Sequence, residues 1–229
     1  VCPTGAIIIK NDSHRLWKEL NQEDTIAVAQ VAPAVRVAVA KEFGYNGENV
    51  MGKIVAALRR IGFNYIFDTS TAADLTVMEE SKEFADRLAN GGKLPLFTSC
   101  CPAWIKYAEN EYPEILPNIS TCRSPMQMFA SVINEKFKGE GKKILSVAVM
   151  PCTAKKGEAA RDEFKDENGK PLVDFVITTQ ELIMMIKEAG IVFNEIEPEA
   201  VDMPFGTMTG AGVIFGVTGG VTEAVIRRV

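Results

Sequence analysis

The sequence has 229 residues, and its 47% hydrophobic and 24% charged residues are ordinary proportions for a folded globular protein. Its formal net charge of -5 argues against nucleic acid or an anionic membrane surface as the main partner. No apolar run approaches the roughly 20 residues that a membrane helix requires, so no membrane span is predicted. The opening Val-Cys-Pro-Thr-Gly lacks an initiator methionine and a basic leader, which favours a cytoplasmic piece of a longer protein.

Strand and helix patterns alternate along the chain. Apolar runs predict strands at residues 8–9, 26–31, 65–67, 94–97, 144–150 and 173–177. Helical periodicity and helix breakers predict helices at residues 35–43, 48–60, 73–88, 103–111, 125–138 and 181–189, then a glycine-rich loop at 206–220 and a final helix. This alternation predicts an α/β fold with mixed, mostly parallel sheets flanked by helices. In such sheets functional groups collect where strands end, and Cys100, Cys101 and Cys152 follow predicted strands directly.

The chain contains five cysteines and a single histidine, His14, in a polar stretch near the N-terminus. The odd number and irregular spacing of the cysteines do not indicate a disulfide framework. A histidine-rich metal site is excluded because one histidine cannot supply its ligands. Any metal chemistry therefore depends on thiolates, and His14 is given no role.

Two short blocks place cysteines beside groups that suit metal and proton chemistry. In Thr-Ser-Cys-Cys-Pro-Ala-Trp, the neighbouring side chains of Cys100 and Cys101 project differently, so one can bind a metal while the other transfers a proton. In Met-Pro-Cys-Thr-Ala-Lys-Lys-Gly-Glu, Lys155 follows Cys152 by three residues and can place a cation near a thiolate-bound cluster. Buried packing cysteines and an exposed lysine are the alternative interpretations of each block alone.

Together and in this order, the two blocks resemble the TSCCPxW and MPCxxKxxE motifs, two of the three signature motifs of iron-only (FeFe) hydrogenases. The glycine-rich segment at 210–220 is also similar to one in that family, and residues 1–7 resemble the end of a ferredoxin-like domain. The resemblance covers essentially the whole chain. It implies a ferredoxin-like remnant at residues 1–20 and a catalytic domain at residues 21–229 that is truncated at its C-terminus.

The resemblance implies a 4Fe–4S cluster linked to a two-iron centre with CO, cyanide and azadithiolate ligands. By motif position, Cys101 and Cys152 would be two of the four cluster ligands, and Cys100 would be the proton-donating thiol. Lys155 would donate a hydrogen bond to a cyanide ligand. The remaining cavity wall would be formed by Ala32, Pro33, Met150 and Phe215. Cys2 would be the last ligand of an accessory 4Fe–4S cluster, in which proline follows the cysteine.

The resemblance also implies a proton route through Glu80, Ser120, Glu83 and Arg87. The three residues in the predicted helix are spaced i, i+3 and i+7, so they share one helix face. An alternative interpretation is the ordinary solvated face of an amphipathic helix whose apolar face contains Leu75, Met78 and Leu88.

The sequence departs from the family pattern at several positions. The third signature motif, with the other two cluster cysteines, is absent from the 229 residues, so we expect no hydrogenase activity from this piece in isolation. Met126 stands where many members have a glutamine, and either the cavity is less polar or Gln127 compensates. Ala34 stands where some members have a serine, and Cys122 matches no ligand position and is interpreted as a structural thiol.

The implied activity is the reversible reduction of protons to dihydrogen. The implied partners are ferredoxin or a similar electron carrier and the proteins that mature the cluster. One alternative is a non-catalytic relative that acts in iron–sulfur cluster assembly or hydrogen sensing, which needs no proton route. Another is an α/β protein whose cysteines only pack. The presence of Cys100, Glu80, Glu83, Lys155 and Ser120 favours catalysis over the non-catalytic relative. Iron content and a broad visible absorption after anaerobic reconstitution would separate the α/β protein with packing cysteines from both.

Overall fold

Four parallel strands form the central sheet of the computed structural model, which describes residues 2–206 and 208–229. They are β1 (Thr25–Val31), β2 (Tyr65–Asp68), β3 (Lys143–Met150) and β4 (Phe175–Thr178), in the order β2-β1-β3-β4. In the register, Ala29 of β1 lies between Ile66 of β2 and Val147 of β3. The α/β prediction with parallel pairing is therefore confirmed.

Helices cover both faces of this sheet, which explains why its inner strands are nearly continuous apolar runs. The helices are α1 (Ser13–Leu20), α2 (Val35–Glu42), α3 (Met51–Ile61), α4 (Ser70–Asn90), α5 (Pro102–Glu111), α6 (Pro125–Lys136), α7 (Ala154–Ala159), α8 (Thr179–Glu188), α9 (Gly210–Ile214) and α10 (Gly220–Arg228). Two short 3-10 helices span Pro113–Asn118 and Asp162–Phe164. None of the described helices is long and apolar enough to cross a membrane.

The core consists of two clusters of buried side chains. The larger one includes Ile54 and Leu58 of α3 and Leu182 of α8. The smaller one is built around Phe67 of β2 and Phe129 of α6, whose ring centroids are 5.7 Å apart. Burial of these side chains fixes the helices against the sheet and thereby positions the loops at the carboxyl ends of the strands.

The N-terminal region differs from its prediction. Residues 8–9 form no strand, and the side chains of Ile8 and Ile9 are 80% and 57% exposed, because no neighbouring strand pairs with them. Helix α1 was not predicted, although Leu16 is fully buried in the larger core cluster. The domain boundary at residue 20 stays a prediction, but Leu16 of α1 lies in the same core cluster as side chains from residues 21–229.

Two further predictions of local structure were wrong. Residues 94–97 form no strand of the sheet; Phe97 makes a single parallel bridge to Ile119, and the residues before Ile119 are a 3-10 helix that cannot extend the ladder. Cys100 and Cys101 therefore follow this bridged segment rather than a sheet strand. The glycine-rich stretch at 206–220 is helical in part, since it contains α9 and the start of α10.

Candidate functional site

A cavity of about 170 Å³ lies where β1 and β3 end. Ala32 and Pro33 follow β1, and Pro151 and Cys152 follow β3. The structure brings together at this cavity all the wall residues expected from the sequence, together with Cys100, Cys152 and Lys155. The lining residues are Ala32, Pro33, Ala34, Thr69, Ala73, Cys100, Pro125, Met126, Met150, Pro151, Cys152, Lys155, Phe215, Gly216 and Val221.

Lys155 is held in place at the cavity by two acceptors. Its Nζ donates to the carbonyl oxygen of Cys100 at 2.9 Å and forms an ion pair with Oε2 of Glu158 at 2.6 Å. The other carboxylate oxygen of Glu158 accepts a hydrogen bond from the Ser124 hydroxyl. The side chain of Lys155 is only 13% exposed, so the alternative of a solvated lysine is wrong. This arrangement fixes a cation at the cavity wall.

Glu158 was given no role by the sequence interpretation, although it belongs to the second motif block. It is buried, and its carboxylate joins Lys155 of the same helix to Ser124 at the start of α6. The i, i+3 spacing of Lys155 and Glu158 was the available signal for an ion pair on α7. Burial makes the pair a precise constraint, because each charge needs its partner when water is excluded.

The Cys100 thiol is placed to remain protonated at neutral pH. Burial raises its pKa to about 11; the charge of Lys155 opposes the rise, and the charges of Glu80 and Cys101 add to it. The thiol therefore stays protonated near neutral pH, which is compatible with the proton-donating role expected from the resemblance. That role stays a prediction.

Cys101 faces a different cavity from Cys100. It is exposed, it precedes the first turn of α5, and it lines a cavity of about 510 Å³ together with Glu80 and Trp104. Neighbouring side chains thus project in different directions, as argued from the sequence. The two expected cluster ligands, Cys101 and Cys152, consequently line separate cavities.

Glu80 is a buried carboxyl group without a hydrogen-bond partner. Its side chain is 1% exposed, and within residues 2–206 and 208–229 neither carboxylate oxygen is hydrogen-bonded. Burial raises its pKa to about 7, and the charge of Glu83 adds to the rise. The Ser120 hydroxyl and the Ser99 N–H are near the carboxyl but outside hydrogen-bond geometry, and they oppose only part of the rise. Glu80 can therefore gain and lose a proton near neutral pH.

The interpretation of this helix face as an ordinary solvated surface is wrong at Glu80. The three apolar residues that would have formed the buried face are instead 37%, 49% and 52% exposed, namely Leu75, Met78 and Leu88. Helix α4 turns its smaller side chains, including Ala73 and Thr76, toward the interior.

Glu83, Ser120 and Arg87 form one hydrogen-bonded group beside Glu80. The Ser120 hydroxyl donates to Oε2 of Glu83 at 2.8 Å, and Arg87 pairs with Oε1 of Glu83 at 2.5 Å. Burial acts to raise the pKa of Glu83, but the hydrogen bonds from Ser120 and Arg87 outweigh it and keep the pKa below its ordinary value. Glu83 and Arg87 also line a cleft of about 390 Å³ at the surface.

Cys122 lies against this group, which the sequence interpretation did not anticipate. Its Sγ is 3.7 Å from Oε2 of Glu83, and its N–H donates to the Ser120 hydroxyl at 3.2 Å. Burial raises the pKa of Cys122 to about 11, so the group is a neutral thiol. No signal in the sequence placed Cys122 next to a residue 39 positions away.

Two positions at which the sequence departs from the family pattern are part of the cavity wall. Met126 and Ala34 both line it, whereas Gln127 is buried elsewhere and is not among the lining residues. Neither side-chain amide atom of Gln127 has a partner in the described part of the chain. The thioether therefore leaves this wall less polar, and Gln127 does not compensate for it.

Cys2 lies in an exposed segment and lines neither of the two cavities. Its Sγ is 3.2 Å from the Thr4 hydroxyl, and this hydrogen bond, with those from nearby backbone amides, lowers the pKa of Cys2 to about 7. The thiol is partly ionised at neutral pH, which suits a metal ligand. Its assignment to an accessory cluster stays a prediction.

The donor chemistry fits an iron–sulfur group. Thiolates are the preferred ligands of such clusters, and none of the described cysteines is in a disulfide. Across residues 2–206 and 208–229, no group of three or more histidine, cysteine or carboxylate side chains lies close enough to bind a metal ion. The assignment of Cys101 and Cys152 as cluster ligands stays a prediction.

Comparison with known proteins agrees with this chemistry. A family model described as the iron-only hydrogenase large subunit, C-terminal domain, matches residues 25–229. The chain belongs to this family. The NADP-reducing hydrogenase subunit HndD of Solidesulfovibrio fructosivorans is 46% identical over 99% of this chain and 40% of its own length. The periplasmic Fe hydrogenase large subunit of Nitratidesulfovibrio vulgaris is 44% identical over 92% of this chain and 51% of its own length.

The fold is shared as well. The apo FeFe-hydrogenase of Chlamydomonas reinhardtii superposes with a TM-score of 0.81 and 39% identity over 95% of this chain and 57% of that structure. The chain spans about half, or less, of the length of the curated hydrogenases above. More distant relatives include a cytosolic iron–sulfur assembly component of Bos taurus, 35% identical over 88% of this chain and 46% of its own length.

Proposed function

We propose that this chain is part of the catalytic domain of an iron-only hydrogenase, and that the whole protein reversibly reduces protons to dihydrogen. The observation that carries the proposal is the buried, unpaired carboxyl of Glu80, whose charge acts on the Cys100 thiol and which is itself affected by the charge of Glu83. An electron-transfer or scaffold protein has no need for a buried acid that titrates near neutral pH.

The proposal assigns roles to Cys101 at one cavity and to Cys152, Lys155 and wall residues at the other. Cys101 and Cys152 supply two thiolate ligands, and Lys155 presents its ammonium to an anionic ligand. When bound, a 4Fe–4S cluster linked to a two-iron centre with CO, cyanide and azadithiolate ligands supplies the electrons and the site of proton reduction. Ala32, Pro33, Met150 and Phe215 enclose that site and limit the entry of water.

The proton route begins at the surface cleft and ends at the Cys100 thiol. Arg87 holds the carboxylate of Glu83 at the cleft, where it accepts a proton from water. The Ser120 hydroxyl, which donates to Glu83 at rest, rotates toward Glu80, accepts the proton of protonated Glu83 on Oγ and gives its own proton to the carboxylate of Glu80, after which it rotates back. Glu80 then returns a proton to Sγ of Cys100 after that thiol has donated one.

The test is the Glu80→Gln variant of the full-length protein, with Glu79→Gln as the matched control. Glu79 is an exposed carboxyl on the same helix. We expect hydrogen evolution by Glu80→Gln to fall about 100-fold or more, since a positioned acid–base group contributes on that order, while its iron content stays unchanged. Hydrogen evolution at the rate of the control would contradict the proposal.

Participation in iron–sulfur cluster assembly is the second candidate, and the assembly-component relative favours it. A protein with that function requires cluster ligands but no proton route. In that case neither Glu80→Gln nor Glu79→Gln evolves hydrogen, and both variants support cluster delivery as well as the unmodified protein does. Measuring both activities on the same preparations separates the two candidates.

The remaining assignments belong to the same proposal. Electrons arrive from ferredoxin or a similar carrier through accessory 4Fe–4S clusters, with Cys2 as a ligand of one of them. Residues 1–20 are the end of a ferredoxin-like domain and residues 21–229 belong to the catalytic domain. The protein works in the cytoplasm and receives its cluster from maturation proteins.

A further inference from the structure

Lys156 follows Lys155 in the sequence, but its side chain is directed to other elements. Its Nζ donates to the carbonyl oxygen of Val176 in β4 at 2.6 Å, to Oδ2 of Asp12 at 3.0 Å and to Oε1 of Glu181 at 3.1 Å. The side chain is 12% exposed. A buried ammonium with three acceptors is a fully satisfied group and therefore a fixed point in the structure.

The two carboxylates around Lys156 come from distant parts of the chain. Asp12 precedes α1, and Glu181 lies in the first turn of α8, and their side chains are 8% and 6% exposed. The Asp12 N–H also donates to Oε1 of Glu181 at 2.8 Å. Trp17 of α1 also donates to Glu188 of α8, and the exposed Arg15 lies 3.2 Å from Oδ1 of Asp12. Without the Lys156 ammonium, two buried carboxylates would face each other with little compensation, so Lys156 stabilises the contact between the N-terminal segment and α8.

Helix α7 packs against β4 and α5, its Glu158 is hydrogen-bonded to Ser124, and its two lysines add further anchors. It has six residues, and no side chain caps its N-terminus. Its two lysines connect it to different surroundings: Lys155 to the Cys100 carbonyl at the cavity, and Lys156 to β4, α8 and the N-terminal segment. Because Cys152 lies two residues before this helix, displacement of α7 would move both Cys152 and Lys155.

We propose that the ion-pair group of Asp12, Lys156 and Glu181 positions the residues of the candidate iron–sulfur site. Lys156 is a positioning residue that fixes α7, and docking of the N-terminal segment through Asp12 sets the placement of Cys152 and Lys155. The segment that carries Cys2 is thereby mechanically joined to the candidate iron–sulfur site. Only the identity of the bound group rests on the proposed function; the coupling itself is a property of the apoprotein.

The first test is hydrogen–deuterium exchange of the full-length apoprotein with Asp12→Asn. We expect amides of residues 153–159 to exchange about tenfold faster or more, because loss of one buried charge partner weakens the anchor of α7. Lys10→Ala is the matched control: Lys10 contacts the outer oxygen of Asp12 at 3.6 Å but is 69% exposed, so exchange in α7 should not change. Faster exchange confined to residues 10–20, or equal exchange in α7, would overturn the proposal.

The second test compares Lys156→Met with Lys156→Arg in anaerobic iron–sulfide titrations of the full-length apoprotein. We expect the apparent affinity for iron to fall about tenfold or more in Lys156→Met, as for loss of a group that orients metal ligands, and to recover largely in Lys156→Arg. Full iron binding by folded Lys156→Met would contradict the proposal. If Lys156→Met does not fold, Asp12→Asn gives the decision, since it keeps the Lys156–Glu181 pair.

The outcomes remain separable from those of the proposed function. Glu80→Gln tests proton transfer with iron content unchanged, whereas Asp12→Asn tests the order of α7 in the absence of iron. A failure of the hydrogenase proposal would leave the apoprotein result intact, and the reverse holds as well.

Discussion

Because Glu80 is buried, the titration of its carboxyl makes the free energy of unfolding depend on pH. In the unfolded chain its carboxyl titrates near 4.5, whereas in the folded chain burial raises the pKa to about 7. The folded state therefore retains a proton that the unfolded state has lost between these two values. Stability from the neutral carboxyl is complete below about pH 4.5 and declines as the pH rises through about 7.

We predict that Glu80→Gln removes this decline. The shift corresponds to about 3 kcal/mol, so above neutral pH the variant apoprotein should exceed the unmodified apoprotein in stability by up to about that amount. Urea unfolding at about pH 5 and about pH 8 measures the difference. Glu79→Gln, which alters an exposed carboxyl, should have the stability of the unmodified protein at both pH values. If the stability of Glu80→Gln declined with pH as much as that of the unmodified protein, the raised pKa of Glu80 would be refuted.

At the residue scale, the sequence predicted which side chains line the cavity but not how α4 is rotated. Hydropathy selected Leu75, Met78 and Leu88 as the buried face, and these are the exposed ones. Helix α4 packs against α6, α9 and α10, and such close neighbours favour small side chains such as Ala73. The partners of a helix are not encoded in its own periodicity, so only the resemblance to a family indicated that Glu80 faces inward.

Helix α9 approaches α4 so closely that only glycine fits at the contact. A Cβ on Gly212 would lie 2.2 Å from the backbone carbonyl oxygen of Ser70. Asp74 of α4 also accepts hydrogen bonds from the N–H and the hydroxyl of Thr209, which caps α9. This contact determines how the segment after α9, which includes the cavity-lining Phe215, is placed.

We predict that Gly212→Ala destabilises the fold by about 1–3 kcal/mol, because α9 must move away from a rigid backbone atom. Gly210→Ala is the matched control in the same helix, since a Cβ there meets no atom within 4 Å. Its effect should stay within about 0.5 kcal/mol. Chemical denaturation of both apoproteins measures the contrast, and equal stability of the two variants would contradict the close contact.

At the element scale, long periodic segments were predictable and short ones were not. The strands β1 and β3 and helices such as α3 and α6 have strong apolar patterns, and all of them are present near the predicted positions. Helix α1 was missed because its eight residues contain only one fully buried apolar side chain, Leu16. The strand predicted at residues 94–97 is absent because a β-ladder needs a partner strand, and the local sequence does not show whether one is present.

Across the whole molecule, the described cysteines lie in environments of opposite character. The pKa of Cys2 is lowered to about 7 by hydrogen bonds in an exposed segment, whereas burial raises those of Cys100 and Cys122 to about 11. Thiol reactivity should therefore vary along the chain, with local hydrogen bonds favouring the thiolate of Cys2 and burial disfavouring those of Cys100 and Cys122.

We predict that iodoacetamide labels Cys2 of the native apoprotein at least about tenfold faster than Cys100 or Cys122 near neutral pH. The larger thiolate fraction of Cys2 outweighs the lower nucleophilicity of its thiolate. Peptide mass spectrometry over a time course gives the three rates, and labelling in denaturant, where the rates should converge, is the control. Modification of Cys100 at the rate of Cys2 would show that its thiol is not shielded.

At this scale the alternating pattern sufficed to predict a parallel α/β fold, because each strand–helix unit is encoded locally. It did not suffice for contacts between distant segments. Lys156 contacts Asp12, which is 144 residues away in the sequence, and Cys122 contacts Glu83, which is 39 residues away. Such meetings depend on the order of strands in the sheet and on the lengths of the connections, neither of which a single sequence displays.

The hydrogen-bond chain from Ser124 through Glu158 and Lys155 to the Cys100 carbonyl crosses three separate stretches of sequence. Ser124 and the Lys155–Glu158 pair depend on one another's side chains, whereas the stretch of Cys100 contributes a backbone carbonyl whose position must match the ammonium of Lys155. A chimaera that receives only one of these stretches from a divergent homologue would inherit mismatched partners. Transplanting the three as a set is therefore the condition under which this site can be moved to another scaffold, and the same constraint would make substitutions in them arise together during divergence.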